Sequence, residues 1–257
     1  MSIVHLNGLR YYRFGSLKTK HAIFTRHGGL SPEPWASLNV GSTVGDDLSR
    51  VRRNRIRSFE AVDSEPDSIF DVWQIHSADV VCAQAPRPSS ESYRQADIIL
   101  TDRPEVTLFM RFADCVPILL HDPRRGVIGL AHAGWMGTLG DVATITVHAM
   151  HKNYGSNPAD ITAGIGPSIG PDHYEIGADV ILQVMQKFGD ESERYLKSQR
   201  GKIHFNLWEA NRLLLERAGV GQIELSSICT ACHTEDWFSH RAEKGRTGRF
   251  GALICLD

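Results

Sequence analysis

Val116-Pro117-Ile118-Leu119-Leu120-His121-Asp122-Pro123-Arg124-Arg125-Gly126-Val127-Ile128-Gly129-Leu130-Ala131-His132 is the stretch that decides the fold. Residues 116–121 and 126–131 are short apolar runs with β-branched residues, the composition of buried strands. Pro123 and Gly126 bracket a tight connection, so the two runs read as a hairpin. A hairpin pairs its strands antiparallel. A chain built on strict β-α alternation would need a crossover there instead.

Working outward, the same signals predict strands over 21–26, 79–84, 97–101, 106–111, 161–165, 222–229 and 250–256. Helices are predicted over 46–61, 138–153, 175–188 and 206–218. Asp46-Asp47 and Asn206 are candidate N-caps, and Gly155, Gly189 and Gly219 are candidate stops. In the first helix Leu48, Val51 and Phe59 are expected on one side; in the last, Leu207, Leu214 and Ala218. Strands outnumber helices and hairpins coexist with them. The expected class is therefore α+β, with packed mixed sheets and outer helices, in one compact unit over residues 1–257. Gly28–Pro34, Ala85–Ser92 and Gly166–Pro171 are expected loops.

The chain has 257 residues, 42% hydrophobic, with a formal net charge of −2, so it can bury a sizeable core and shows no basic excess. Nucleic acid and anionic membrane surfaces are therefore not expected partners. No apolar stretch approaches the roughly 18 residues of a membrane helix. The first residues, Met-Ser-Ile-Val-His-Leu-Asn-Gly, lack the cationic-then-apolar pattern of a secretory leader. Five cysteines at scattered spacing do not form a disulfide framework. A cytoplasmic protein with reduced thiols is expected. Nothing in the residues sets an oligomeric state.

Three segments carry candidate metal ligands: His76 in Trp-Gln-Ile-His, Cys115 in Ala-Asp-Cys-Val-Pro and His132 in Ala-His-Ala-Gly-Trp. Each falls where a predicted strand meets a loop, a place from which a rigid scaffold can aim side chains into a cleft. Two imidazoles and a thiolate suit zinc, and three protein ligands leave the fourth tetrahedral position open, as in catalytic sites. Isolated histidines and cysteines are more often packing residues. The separations, 115 − 76 = 39 and 132 − 115 = 17, match no compact zinc-finger pattern. The residues alone leave both readings open.

Other features read as follows. Cys229-Thr-Ala-Cys232-His233 has the form of a haem c attachment word or a redox Cys-x-x-Cys, but without an export signal the preferred reading is a pair of core or near-site thiols. His148 and His151 share a helix face and read as surface histidines. Arg26 lies beside Gly28-Gly29, and Arg241, Arg246 and Arg249 cluster late; arginine forks and glycine-rich turns, such as Gly164 to Gly170, suit phosphate.

Several words, in order, carry a family resemblance: Phe24-Thr25-Arg26-His27-Gly28-Gly29, Ser37-Leu38-Asn39, Val44-Gly45-Asp46-Asp47, Gln74-Ile75-His76, Ala113-Asp114-Cys115-Val116-Pro117, Ala131-His132-Ala133-Gly134-Trp135, Gly164 to Gly170, Ser239-His240-Arg241 and Thr247-Gly248-Arg249. On these the chain resembles the YfiH-like family, variously described as polyphenol oxidase (laccase) and as purine nucleoside phosphorylase with adenosine deaminase activity. The resemblance implies a layered α/β/β/α arrangement. It implies zinc ligated by His76, Cys115 and His132, which also makes them the catalytic set, and it marks Arg26 as a substrate-binding candidate. The implied substrates are a purine nucleoside (adenosine, inosine or methylthioadenosine) and phosphate. Met136 stands where the family often has arginine, and Asp172-His173 where many members carry cysteine.

Three alternatives remain. Cu2+ competes well for nitrogen and sulfur donors, so a copper-dependent polyphenol oxidase is one. No two of the 12 histidines are two residues apart, however, and the His-x-His pairs of multicopper oxidases are missing. A cysteine hydrolase with Cys115 as nucleophile and His132 as base is the second, since the family fold is similar to the deamidase domain of cytotoxic necrotising factors. A non-catalytic zinc-binding protein is the third. Asp114 or a nearby carboxylate is a proton-transfer candidate in the leading reading.

Overall fold

The computed structural model describes residues 2–257. The quoted stretch forms the central hairpin: β8 (Val116–Asp122) and β9 (Val127–Ala133) pair antiparallel, with Val116 opposite Ala133 and Asp122 opposite Val127. Gly126 turns the chain at φ +61, a value that favours glycine.

Two six-stranded mixed sheets are built around this hairpin. The first orders β1 (Ser2–Leu6), β2 (Leu9–Arg13), β3 (Lys20–Phe24), β14 (Phe250–Cys255), β7 (Thr107–Phe112) and β4 (Ile69–Phe70). The second orders β13 (Gln222–Leu225), β10 (Thr162–Ile165), β8, β9, β6 (Ile98–Thr101) and β5 (Val80–Cys82). Most pairs are antiparallel; β4–β7, β5–β6 and β10–β13 are parallel. A two-stranded ribbon joins β11 (Leu196–Gln199) to β12 (Lys202–Phe205).

The period-2 alternation of each strand sorts its side chains between two layers. Leu119, Ile128, Leu130, Leu108, Met110 and Phe112 meet between the sheets. Their neighbours Ile118, Leu120, Val127 and Ala131 face the opposite side, under α3 (Val142–Tyr154) and α5 (Leu207–Arg217). Phe109 faces the far side of the first sheet, where Phe59 of α1 (Leu48–Glu60) covers it. The layers are therefore α/β/β/α, as expected. Because both faces of the central strands are covered, they read as continuous apolar runs rather than alternating ones.

The helix signals hold with shorter bounds. Asp47 caps α1, accepting from the Ser49 and Arg50 amides. Asn206 caps α5, and Gly155 (φ +71) and Gly189 (φ +55) end α3 and α4 (Ala178–Phe188). The expected helix over 138–153 divides, with a short α2 (Trp135–Leu139) before α3. Leu48 is not on the buried side of α1: it is 64% exposed at the first turn, before the helix reaches the sheet. The strand expected over 222–229 stops at Leu225; Ser227 turns at φ +54 and leaves the ladder. No described helix is long and apolar enough to cross a membrane.

Candidate metal centre

The three candidate ligands converge at the edge of the layer between the sheets. His132, in phase with Ile128 and Leu130 along β9, points into that layer beside Phe112, with ring centroids 5.4 Å apart. Cys115 sits just before β8, opposite the end of β9. His76 comes from the loop between β4 and β5, and its ring centroid lies 4.8 Å from that of His132. One ligand atom from each of His76, Cys115 and His132 lies within 4.8 Å of the others.

Two of the residues that set this geometry adopt the left-handed region, His76 at φ +61 and Asp114 at φ +84. Such conformations cost about 1–3 kcal/mol each and persist only when the surroundings enforce them. At His76 the enforcement comes from Asp97, whose Oδ2 accepts from the amides of Ile75 (3.1 Å) and Ser77 (2.7 Å) on either side. Asp114 is held by Thr230 Oγ1 and Ser239 Oγ, both donating to its Oδ1 at 2.7 Å, and by the Arg241 amide donating to Oδ2 at 2.6 Å. These donors fill three of the roughly four acceptor sites of the carboxylate. Asp114 therefore ties its own loop to the connection between β13 and β14, a bracing role that leaves little of the carboxylate open to the cavity.

Asp97 has a second task. Its Oδ1 accepts from His132 Nδ1 at 2.7 Å, in a fully buried contact. That keeps a proton on Nδ1 and turns Nε2 toward the cluster, the arrangement in which a carboxylate orients a metal-binding imidazole. Burial works against the Asp97 charge, but the hydrogen bond and charge of His132 and the amides of Ser77 and Ile75 outweigh it and lower its pKa. Burial likewise pushes the Cys115 thiol up, but His132 and His76 bring it down to about 6. Burial also disfavours charge on His132, yet Cys115 and Asp97 raise it to about 9. At neutral pH the metal-free set is therefore a Cys115 thiolate beside a protonated His132, and an incoming ion would take the place of the His132 Nε2 proton. Gly134 is the close neighbour: a Cβ there would stand 3.0 Å from Cys115 Sγ and 3.1 Å from His76 Nδ1.

A cavity of about 350 Å³ opens over the cluster. Trp73, 45% exposed, and His240 line it along with two cations, Arg111 and Arg249. Arg111 donates through Nε to Gln74 Oε1 at 3.3 Å and through its terminal nitrogen to the Val72 carbonyl, and Gln74 also clasps the Arg111 backbone. Burial and the nearby Arg55 lower Arg111 to about 10, which still leaves it cationic at neutral pH. Its carboxylate neighbour Asp71, buried, is shared by Arg55, Arg87 and Arg111, so this wall keeps excess positive charge.

Arg26 is not brought to this cavity. Its Nε donates to Ala36 O at 2.7 Å and Nη1 to Thr234 O at 2.6 Å; it pairs with Glu243 at 3.1 Å and lies over the Phe238 ring. It ties loops together. The Gly164–Gly170 turn offers no free amide cradle either: the amides of Gly166, Ser168, Ile169 and Gly170 donate to Pro117 O, Ile228 O, Asp114 O and Cys229 Sγ. Met136 is 43% exposed, and the charge beside the cavity comes from Arg111 and Arg249 instead. His148 and His151 lie exposed on α3. The sequence reading missed Asp97, Arg111, Trp73 and Gln74. Trp73 and Gln74 were adjacent to a candidate ligand, and that proximity was the available signal.

Fold and site together define an α/β/β/α protein with a two-imidazole, one-thiolate cluster at the floor of a cationic cleft. Over residues 20–257 the chain matches the family described as multi-copper polyphenol oxidoreductase laccase, and it belongs to that family. It is similar to a purine nucleoside phosphorylase of Deinococcus radiodurans, 40% identical over 249 residues covering 97% of this chain and 94% of that one. A purine nucleoside phosphorylase YlmD of Geobacillus stearothermophilus is 38% identical over 239 residues, covering 90% and 87%. Two solved structures superpose closely: Bacillus licheniformis hypothetical protein YfiH, with TM-score 0.90, 34% identity and coverage of 98% and 97%, and YlmD from Geobacillus stearothermophilus, with TM-score 0.91, 34% identity and coverage of 98% and 97%.

Proposed function

We propose that this protein is a metal-dependent purine nucleoside phosphorylase. It cleaves adenosine, inosine or methylthioadenosine with inorganic phosphate to free base and a ribose 1-phosphate, and hydrolytically deaminates adenosine as a second activity. The names of its relatives support the first activity. The observation that carries the reading is the pairing of a metal-type donor cluster with a cationic wall and an exposed indole in one cavity of about 350 Å³, within the size range of small-molecule sites.

The donor set fits zinc. Cys115 is held as thiolate, Asp97 points the His132 Nε2 lone pair away from its own carboxylate, and the cluster contains three donors, which leaves a tetrahedral position open. Zinc held by His76, Cys115 and His132 would supply a Lewis acid that polarises a substrate or water oxygen.

The chain's own residues do the rest. Trp73 offers a face on which a purine stacks. Arg111 and Arg249 draw phosphate into the cleft and hold it against the sugar carbon. In the transfer, a phosphate oxygen forms a bond to C1′ while the C1′–N9 bond breaks and its electron pair leaves with the purine. The departing base takes up a proton, and His240, on the cavity wall outside the metal cluster, is the group we assign to deliver it.

Purified protein reconstituted with zinc should convert inosine plus phosphate to hypoxanthine. His76→Ala and Cys115→Ala variants should lose that turnover, and full turnover in either would defeat the metal role.

One observation favours a second reading. Cys115, His132 and Asp97 also have the order of a nucleophile, its base and the base's orienting carboxylate. A cysteine hydrolase would keep its activity in chelator and lose it on alkylation of Cys115 whether or not zinc is present. The family's description supports copper at the same donors; loading with Cu2+ and assaying phenol oxidation tests it.

A further inference from the structure

Cys229 and Cys232 face the side chain of His173, far from it in sequence. Cys232 Sγ lies 3.4 Å from His173 Nδ1 and Cys229 Sγ lies 3.8 Å from it. One ligand atom from each of the three lies within 4.8 Å of the others. These spacings have a geometric meaning. A tetrahedral ion with bonds of about 2.3 Å to sulfur and 2.0–2.1 Å to nitrogen separates its sulfur and nitrogen donors by roughly 3.6 Å. The two sulfur–nitrogen distances, 3.4 and 3.8 Å, bracket that value.

The scaffold holds them there through main-chain bonds. Ser168 and Cys229 form a parallel bridge; the Ser168 amide donates to Ile228 O and the Thr230 amide to Ser168 O, both at 3.1 Å. The amides of His173 and Tyr174 both donate to Gly170 O, and the His233 amide donates to Cys229 O. The Gly170 amide donates to Cys229 Sγ at 3.1 Å, the kind of outer hydrogen bond that stabilises a ligating thiolate. Cys229 is buried, whereas Cys232 and His173 are exposed. An ion can therefore enter from solvent, with its fourth position facing water.

We propose that His173, Cys229 and Cys232 form a second site for a thiophilic divalent cation of the zinc type, independent of the first. Two sulfurs and one imidazole select zinc over magnesium or calcium. The ion clamps the 168–173 turn to the 229–232 turn. Thr230, between the two cysteines, donates to Asp114 Oδ1 at 2.7 Å, and the Ile169 amide donates to Asp114 O at 2.9 Å. Asp114 directly precedes Cys115. The clamp thus braces the loop that presents the thiolate of the first centre.

The test is metal stoichiometry on the reduced, full-length protein, titrated with Zn2+ against a chromophoric chelator. Wild type should take up two equivalents. Cys115→Ser should keep one, and that equivalent should vanish in the Cys115→Ser variant carrying either Cys232→Ser or His173→Ala. Both added changes are at exposed positions, and circular dichroism checks that they fold. With Co2+ as probe, the Cys115→Ser protein should show sulfur-to-cobalt charge-transfer absorption that Cys232→Ser weakens. A folded Cys115→Ser protein that binds no zinc would overturn the proposal. So would a retained equivalent that survives both Cys232→Ser and His173→Ala.

Discussion

Asp97→Asn is the sharpest perturbation of the candidate centre, because it changes charge and hydrogen-bond polarity at nearly constant volume. The carboxylate is fully buried and accepts four hydrogen bonds: from His132 Nδ1 at 2.7 Å, from the amides of Ile75 and Ser77, and from Ser77 Oγ at 3.1 Å. An amide presents only one oxygen. If its NH2 occupies the Oδ2 position, it meets the Ile75 and Ser77 N–H groups head-on, and the left-handed His76 loses its anchors. If it occupies the Oδ1 position, His132 must move its proton to Nε2, which removes the lone pair aimed at the cavity. Either way the buried charge partner of His132 is lost, and in the first orientation the Ile75 and Ser77 donors are also left unpaired, which costs about 3–5 kcal/mol of folding stability. Loss of an orienting carboxylate typically weakens metal binding about 10–100-fold. The assays are denaturant unfolding of the metal-free protein and zinc competition against a chelator, with inosine phosphorolysis followed in parallel. Zinc affinity within about twofold of wild type, together with a stability change under about 0.5 kcal/mol, would refute the assigned role of Asp97.

The other expectations concern separate parts of the molecule. Gly134→Ala should leave stability within about 1 kcal/mol, since its backbone (φ −69, ψ −178) suits alanine, while a methyl 3.0 Å from Cys115 Sγ obstructs the centre and lowers zinc affinity and turnover; unchanged zinc affinity would count against a metal seated there. Arg249→Gln should raise the KM for phosphate roughly 10- to 100-fold, the worth of one charge-assisted hydrogen bond, with a smaller change for the nucleoside; equal changes in both constants would show that Arg249 does not meet phosphate. His21 is buried, accepts from the Phe14 amide through Nε2 at 2.9 Å and lies 2.8 Å from Thr19 O through Nδ1, and burial lowers its pKa from 6.5 to about 4. Between those values the unfolded chain binds the proton and the native one does not, so stability falls as pH drops from 6.5 to 4, by about 3 kcal/mol at about 1.4 kcal/mol per unit. Urea unfolding across that range checks it, and His21→Gln should flatten the slope; an identical slope would assign the pH dependence elsewhere.

Much of the fold was written in local signals. The 116–133 hairpin was legible because two apolar runs flank a Pro-Gly bracketed turn, and the helices because Asp47, Asn206, Gly155 and Gly189 satisfy helix ends that any sequence must satisfy. The first hairpin was also signalled, by Asn7-Gly8, both at positive φ, though the polar residues of β1 and β2 obscured it. The identities of His76, Cys115 and His132 came from the chemistry of zinc ligands and a family resemblance, but nothing local distinguishes them from packing residues. Their meeting is a property of the tertiary structure, since segments 39 and 17 residues apart converge only after the two sheets stack (115 − 76 and 132 − 115). The same stacking withdrew Arg26 and Asp114 into loop-binding roles and brought Asp97, Arg111 and Arg249 to the cleft. Hydrogen-bond capacity and apolar burial act over neighbouring residues and leave a trace in sequence. Which charged group ends up lining a cavity depends on every partner that folding brings near it, and only the assembled layers decide that.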